Sequence, residues 1–87
     1  MNHVYVLYSL KYDKIYIGES SNLDDRFISH NLETNKGWTG RYRPWVVVYA
    51  EKCEGKSAAL KREKQLKSAA GRRWIREEFV GKLISND

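Results

Sequence analysis

One cysteine, Cys53, is all the thiol chemistry this chain carries. A single thiol excludes an intramolecular disulfide framework and fits a reducing compartment. Long apolar runs are missing too. The longest early one, residues 4–8, is far too short for a signal-peptide core or a membrane span. The expected location is therefore the cytoplasm, with no membrane partner. No internal repeat, low-complexity segment or interdomain linker is present. The chain has 87 residues, near the small end of what folds unaided, and its apolar content supports one modest core. The reading is a single domain over residues 1–87, structured over about 3–79, with a frayed tail at 80–87.

Acidic residues are in deficit: 16 Lys and Arg face 11 Asp and Glu, for a net charge of +5. Such an excess favours polyanions, of which nucleic acid is the commonest.

What is present is patterned. Val4, Val6 and Tyr8 alternate with Tyr5 and Leu7, so residues 1–9 predict a strand covered on both faces. Residues 11–14 form a polar reversal, and residues 15–18 return as a second strand, close enough for an antiparallel hairpin. Ser21 or Asn22 caps the helix that follows, with Asp24 and Asp25 at the positive end of its dipole. Leu23, Phe27 and His30 recur at helical spacing, which puts Arg26 and His30 along or beside the inward stripe.

Residues 31–44 read as an irregular polar loop, because they hold two glycines and a proline. Within and just after that loop, Trp38, Arg41, Tyr42, Arg43 and Trp45 interleave aromatic and cationic groups. Residues 45–51 are the third strand. Ser57 caps a second helix reaching about Ala70, with Ala59, Leu60, Leu66 and Ala70 as its apolar stripe. Its other face carries Lys61, Arg62, Lys64, Gln65 and Lys67. Gly71 ends that helix. A third begins near Arg72, with Trp74, Ile75, Glu78 and Phe79 on one side. The order ββαβαα predicts an α/β (α+β) domain, a small three-stranded antiparallel sheet flanked by helices.

Two charges fall where this pattern expects apolar side chains. Arg26 adjoins one inward stripe, and Glu63 lies in the middle of another. Burying either alone is costly, so each calls for a counter-charge, a metal or access to water. They can also pair with each other. Tyr5 and Tyr16 lie on adjoining strands, where their hydroxyls can reach a shared cleft with Arg26 and His30.

Taken in order, His3-Val4-Tyr5, Tyr16-Ile17-Gly18, Arg26 with His30, and then Glu63 form a set that resembles the GIY-YIG nuclease superfamily. The resemblance covers residues 3–79, nearly the whole chain. Residues 44–49 and 59–67 look like its short stand-alone branch, related to the N-terminal domain of the excision-repair nuclease. The first motif departs from its name, with His3-Val4 in place of Gly-Ile, but its tyrosine is kept.

The resemblance implies a divalent-metal-dependent endonuclease, a phosphodiester hydrolase acting on DNA in repair or recombination. Glu63 would hold one Mg²⁺ or Mn²⁺, a hard ion suited to a carboxylate. Tyr5, assisted by Tyr16 or His30, would activate or orient the attacking water, and Arg26 would clamp the phosphate. Nucleic-acid contacts fall to Trp38, Arg41, Arg43, Lys61, Arg62, Lys64 and Lys67, a basic and aromatic surface suited to branched, flap or single-stranded DNA.

One departure bears on activity. Glu19 follows the second motif, where excision-repair members tend to place a lysine near the phosphate. Two other readings stand beside the nuclease. One is a non-catalytic nucleic-acid-binding module that retains the fold, and the other is a basic protein-interaction domain. Glu63 separates the first two, because binding alone gives no reason for a carboxylate on an inner stripe.

Overall fold

The computed structural model describes residues 1–32 and 34–84. Its centre is a three-stranded antiparallel sheet in the order β2-β1-β3, built from β1 (Asn2–Ser9), β2 (Lys14–Ser20) and β3 (Val46–Cys53). Alternation along β1 sends Val4, Val6 and Tyr8 to one layer and Tyr5 and Leu7 to the other, and all five are buried. At about 1.5–3 kcal/mol for each large apolar side chain removed from water, this strand is the main anchor of both layers. The tight β1–β2 reversal places Asp13 at φ 54, a left-handed conformation that aspartate tolerates. Its carboxylate is held there by the Tyr8 hydroxyl at 2.8 Å and by Arg76 at 2.9 Å.

One face of the sheet is covered by α1 (Leu23–Asn31) and α2 (Trp38–Arg41). Asn22 caps α1 by accepting the Asp25 N–H. The short helix α2 stands where an irregular loop was expected. Its buried Thr39 carbonyl accepts the Trp45 indole N–H at 2.7 Å, which holds the turn against the sheet. Trp45 itself is core, not surface.

The opposite face is covered by α3 (Lys56–Leu66) and α4 (Ala69–Ile75), then by a π-helical stretch (Arg76–Val80) and α5 (Gly81–Ile84). Here Ile15, Ile17, Ala59, Leu66, Ile75 and Val80 pack on Val4 and Val6. The expected second helix is thus two. It starts from Gly55, not Ser57, and stops at Leu66; Ser68 then caps α4 by accepting the Gly71 N–H. Gly71 lies inside α4 because it nests against the end of α3: a Cβ there would sit 2.5 Å from the Gln65 and Leu66 carbonyl oxygens. Leu60 and Ala70, expected on the inner stripe, are exposed, and so is Glu78. Gly81–Ile84 are helical, where a frayed tail was expected; residues 85–87 lie outside the described residues.

Along β1 and β3 the pairing slips once. Val6 faces Tyr49 but Leu7 faces Val47, so β3 carries one extra residue, a β-bulge. Among the described residues, no helix is long and apolar enough to cross a membrane.

Candidate active site

Tyr5 lies directly opposite Gly18 in the β1–β2 ladder. A Cβ on Gly18 would stand 2.5 Å from the Tyr5 hydroxyl and 2.9 Å from the Tyr16 ring. Glycine therefore opens the space in which the Tyr5 phenol crosses the strand. Tyr16, two residues earlier on the same face of β2, has its ring centre 6.2 Å from that of Tyr5.

Helix α1 supplies the next two groups. His30, in its last turn, is buried, with Nε2 3.0 Å from the Tyr5 hydroxyl and its ring centre 4.7 Å from that of Tyr16. Arg26 stands one turn earlier and is exposed to solvent at the mouth of the cleft, whereas the helical spacing predicts a place along or beside the inward stripe, away from the solvent side. It interacts with the Tyr5 hydroxyl first and Tyr16 second, and these contacts hold its pKa above the ordinary arginine value.

Glu63 arrives from the other layer. It shares a stripe of α3 with buried Ala59 and Leu66, is only 19% exposed, and lies near enough to Tyr5 for its charge to act on the phenol. Its ion pair is with Lys67 at 3.4 Å, not with Arg26. Tyr5, Tyr16, Arg26 and His30 thus meet beside β2, and Glu63 acts on them through its charge from the opposite layer.

Their electrostatics are unequal. Burial raises the pKa of Tyr5, Tyr16 and Glu63 raise it further, and Arg26 opposes them. At neutral pH Tyr5 is a phenol. Burial, then Arg26, lowers the pKa of His30, which rests as a neutral imidazole.

Two grooves continue the edge of β2 on either side of this cluster. One, of about 400 Å³, is lined by Lys14, Tyr16, Trp38, Lys67, Arg72 and Arg76 among others. The other, of about 430 Å³, brings Glu19 beside Arg26, Lys56 and Ser20. Glu19 is held by the Asn2 amide at 2.6 Å. Arg41 and Arg43 line a third cavity with Trp38 and Lys36. The remaining expected nucleic-acid contacts point elsewhere. Arg62 binds Glu51 of β3 at 3.1 Å and lies over the Trp74 ring, while Lys61 and Lys64 sit exposed on α3 and line none of these grooves.

Three polar residues of this region were not singled out from sequence. Asn31 grips the Trp45 backbone at both N–H and C=O, as a neighbouring strand would. Thr39 and Asn35 extend the hydrogen bonding behind His30: Thr39 Oγ1 is 2.9 Å from His30 Nδ1, and the Asn35 amide donates to Thr39 at 2.8 Å. An Asn-x-Gly-x-Thr run in a polar loop was the only signal available.

Residues 1–76 match the family described as the GIY-YIG catalytic domain. The chain belongs to that family. Among its relatives are UPF0213 proteins of Staphylococcus haemolyticus and Staphylococcus saprophyticus, each 33% identical over 67 residues, covering 77% of this chain and 80% of the relative. A UPF0213 protein of Natronomonas pharaonis is also 33% identical over 67 residues, covering 77% of this chain and 78% of its own length. No solved structure gives a significant match. The three-stranded antiparallel sheet with flanking helices is the architecture expected of a GIY-YIG domain.

GIY-YIG nucleases generally depend on a divalent metal. Among the described residues, no three His, Cys, Asp or Glu side chains gather to form a cage. Glu63 is a hard oxygen donor within charge range of Tyr5, of a kind that fits an ion of the Mg²⁺ type that keeps most of its waters.

Proposed function

We propose that this protein is a divalent-metal-dependent endonuclease that hydrolyses DNA phosphodiester bonds. The observation that carries the reading is the meeting of Tyr5, Tyr16, Arg26 and His30 at one open cleft, with the Glu63 carboxylate near enough for its charge to act on Tyr5. Glu63 is a largely buried carboxylate whose charge acts on the Tyr5 phenol, although its ion pair is with Lys67.

In this reading a strand of DNA lies along the outer edge of β2, with its backbone against Lys14, Lys67, Arg72 and Arg76. Trp38 and Tyr16, with ring centres 6.4 Å apart, offer faces on which unpaired bases stack. A flap, a branch or a single strand fits such a groove better than a continuous duplex. Arg41 and Arg43 extend the cationic path.

Arg26 binds the scissile phosphate and offsets the charge that grows on its oxygens as water attacks. The water oxygen bonds to phosphorus, the bond to the 3′-oxygen breaks, and a 5′-phosphate and a 3′-hydroxyl result. Tyr5 orients the attacking water through its hydroxyl, and its proton is drawn off more readily as positive charge collects beside it. Glu63 would hold Mg²⁺ or Mn²⁺, which when bound would supply positive charge near the departing oxygen. The single domain works in repair or recombination, in the cytoplasm.

A second reading has one observation in its favour. Glu19 puts a carboxylate beside Arg26, which weakens the phosphate clamp a nuclease needs while leaving the basic groove of Lys14, Arg72 and Arg76 free to bind a polyanion. The deciding experiment is cleavage of labelled flap, branched and single-stranded DNA with Mg²⁺ or Mn²⁺, comparing the wild type with Glu63→Gln. Metal-dependent nicking that falls at least about 10²-fold in the variant supports the nuclease. Salt-sensitive binding without cleavage by either protein refutes it in favour of the module.

A further inference from the structure

We infer that Thr39, oriented by Asn35, fixes the tautomer of His30 and thereby makes His30 the donor, not the acceptor, in its hydrogen bond to Tyr5. Thr39 is a positioning residue, and its catalytic consequence rests on the reading of Tyr5 as a group that touches the reacting water.

At the backbone, donors and acceptors are unambiguous. The Gly37 N–H donates to one end of the Asn35 side chain at 2.9 Å, so that end is the oxygen. The other end faces the His30 carbonyl at 3.2 Å, so it is the NH₂. That NH₂ also lies 2.8 Å from Thr39 Oγ1, which must accept. The threonine proton then needs an acceptor. Among the described residues the one in reach is His30 Nδ1, at 2.9 Å. A ring nitrogen that accepts carries no proton, so in the neutral imidazole the proton is on Nε2. Nε2 faces the Tyr5 oxygen at 3.0 Å and donates to it.

His30 is buried and its pKa is lowered by that burial and by Arg26, in keeping with a neutral ring that has one proton to place. Two consequences follow for Tyr5. His30 cannot take the phenol proton, so that proton leaves toward the open mouth, where the substrate water binds. The phenol oxygen instead receives a hydrogen bond from behind, and this bond strengthens as negative charge develops on it.

The test uses the full chain, metal-free and labelled with ¹⁵N-histidine, with the ring nitrogens observed by NMR. His30 is told from the other histidine by its ring contacts to Tyr5 and Thr39. In the wild type, Nε2 should carry the proton and Nδ1 should show the shift of a bare acceptor; a proton on Nδ1 overturns the inference. Thr39→Val keeps the volume and removes the donor, so the Nδ1–H form should become populated, and cleavage should fall roughly tenfold in kcat with KM little changed. Thr39→Ser should restore both. Asn35→Asp replaces the NH₂ with an oxygen, draws the threonine proton away, and should invert the tautomer. An unchanged Nε2–H form in both Thr39→Val and Asn35→Asp overturns the relay. If either variant fails to fold, the wild type and Thr39→Ser decide. Because the ring spectrum needs no turnover, an Nε2–H His30 in a protein that cleaves no DNA would sink the nuclease reading and leave the relay standing.

Discussion

The two faces of the sheet are built from the same central strand and yet differ in kind. On the α3 side, Val4, Val6, Ile15, Ile17, Leu66 and Ile75 meet as an apolar layer with little hydrogen bonding to arrange. On the α1 side, Tyr5, His30, Thr39 and Trp45 are just as buried, but their polar atoms are joined in a chain of hydrogen bonds. Packing tolerates changes of shape at a graded cost; a directional network fails at the first missing partner. The α3 side therefore carries most of the stability, and the α1 side most of the chemistry. Glu63 links the two, because its charge, from a helix of the stable layer, acts on Tyr5 of the reactive one.

The largest break in this comparison should come from Arg26→Ala. Cleavage should drop by about 10²–10³-fold, as for loss of one preorganised transition-state contact, while the urea midpoint barely moves because the side chain is exposed. Leu66→Ala should do the reverse. It should cost about 2–5 kcal/mol of unfolding free energy, with activity per folded molecule retained. If Leu66→Ala removes activity from molecules shown to be folded, the two layers are not separable.

Gly18→Ala should sit between these extremes. Its new methyl collides with the Tyr5 hydroxyl, so about 1–3 kcal/mol of stability and most of the activity should be lost together, measured by denaturation and cleavage on one preparation. The smallest effect is on pH. Because His30 has a pKa below its ordinary 6.5 when folded, the unfolded chain takes up a proton first as pH falls through that value. Stability should therefore be level above about pH 7 and decline below 6.5, no more steeply than one proton allows. His30→Gln should flatten that decline, and an identical slope in the variant would assign it to other groups. Asp13, whose carboxyl is held low by Arg76 and Tyr8, acts only at more acid pH.

Much of this was legible beforehand, for local reasons. The double alternation of β1, the Asn22 cap and the helical spacing of Arg26 and His30 depend on neighbours a few residues away, so the strand, the helix and four of the five clustered side chains followed from pattern. The misreadings arose where distant contacts overrule local preference. Gly37 and Gly40 flank Thr39 and argue against a helix, yet the Trp45 indole pins the Thr39 carbonyl and the turn forms. Gly71 normally marks a helix end, but here close approach to Leu66 requires it inside one. Arg62 looked like its lysine neighbours until β3 placed Glu51 opposite it. The hydrogen bonds behind His30 were invisible for the same reason, since only the folded loop shows which atoms of Asn35 and Thr39 meet.

The extra residue in β3 has a consequence for the whole arrangement. Side chains of a strand exchange surfaces at every step, so an uninterrupted β3 would send Trp45 to the same side as Tyr49, among Phe79 and Trp74. The slip between Tyr49 and Val47 resets the count, and one strand serves as a wall for the apolar layer at one end and for the reactive layer at the other. Strand β3 never touches the substrate in this reading. It acts as a phase shifter, and a deletion of one residue there would move Trp45 from the reactive layer to the apolar one and take its indole away from Thr39.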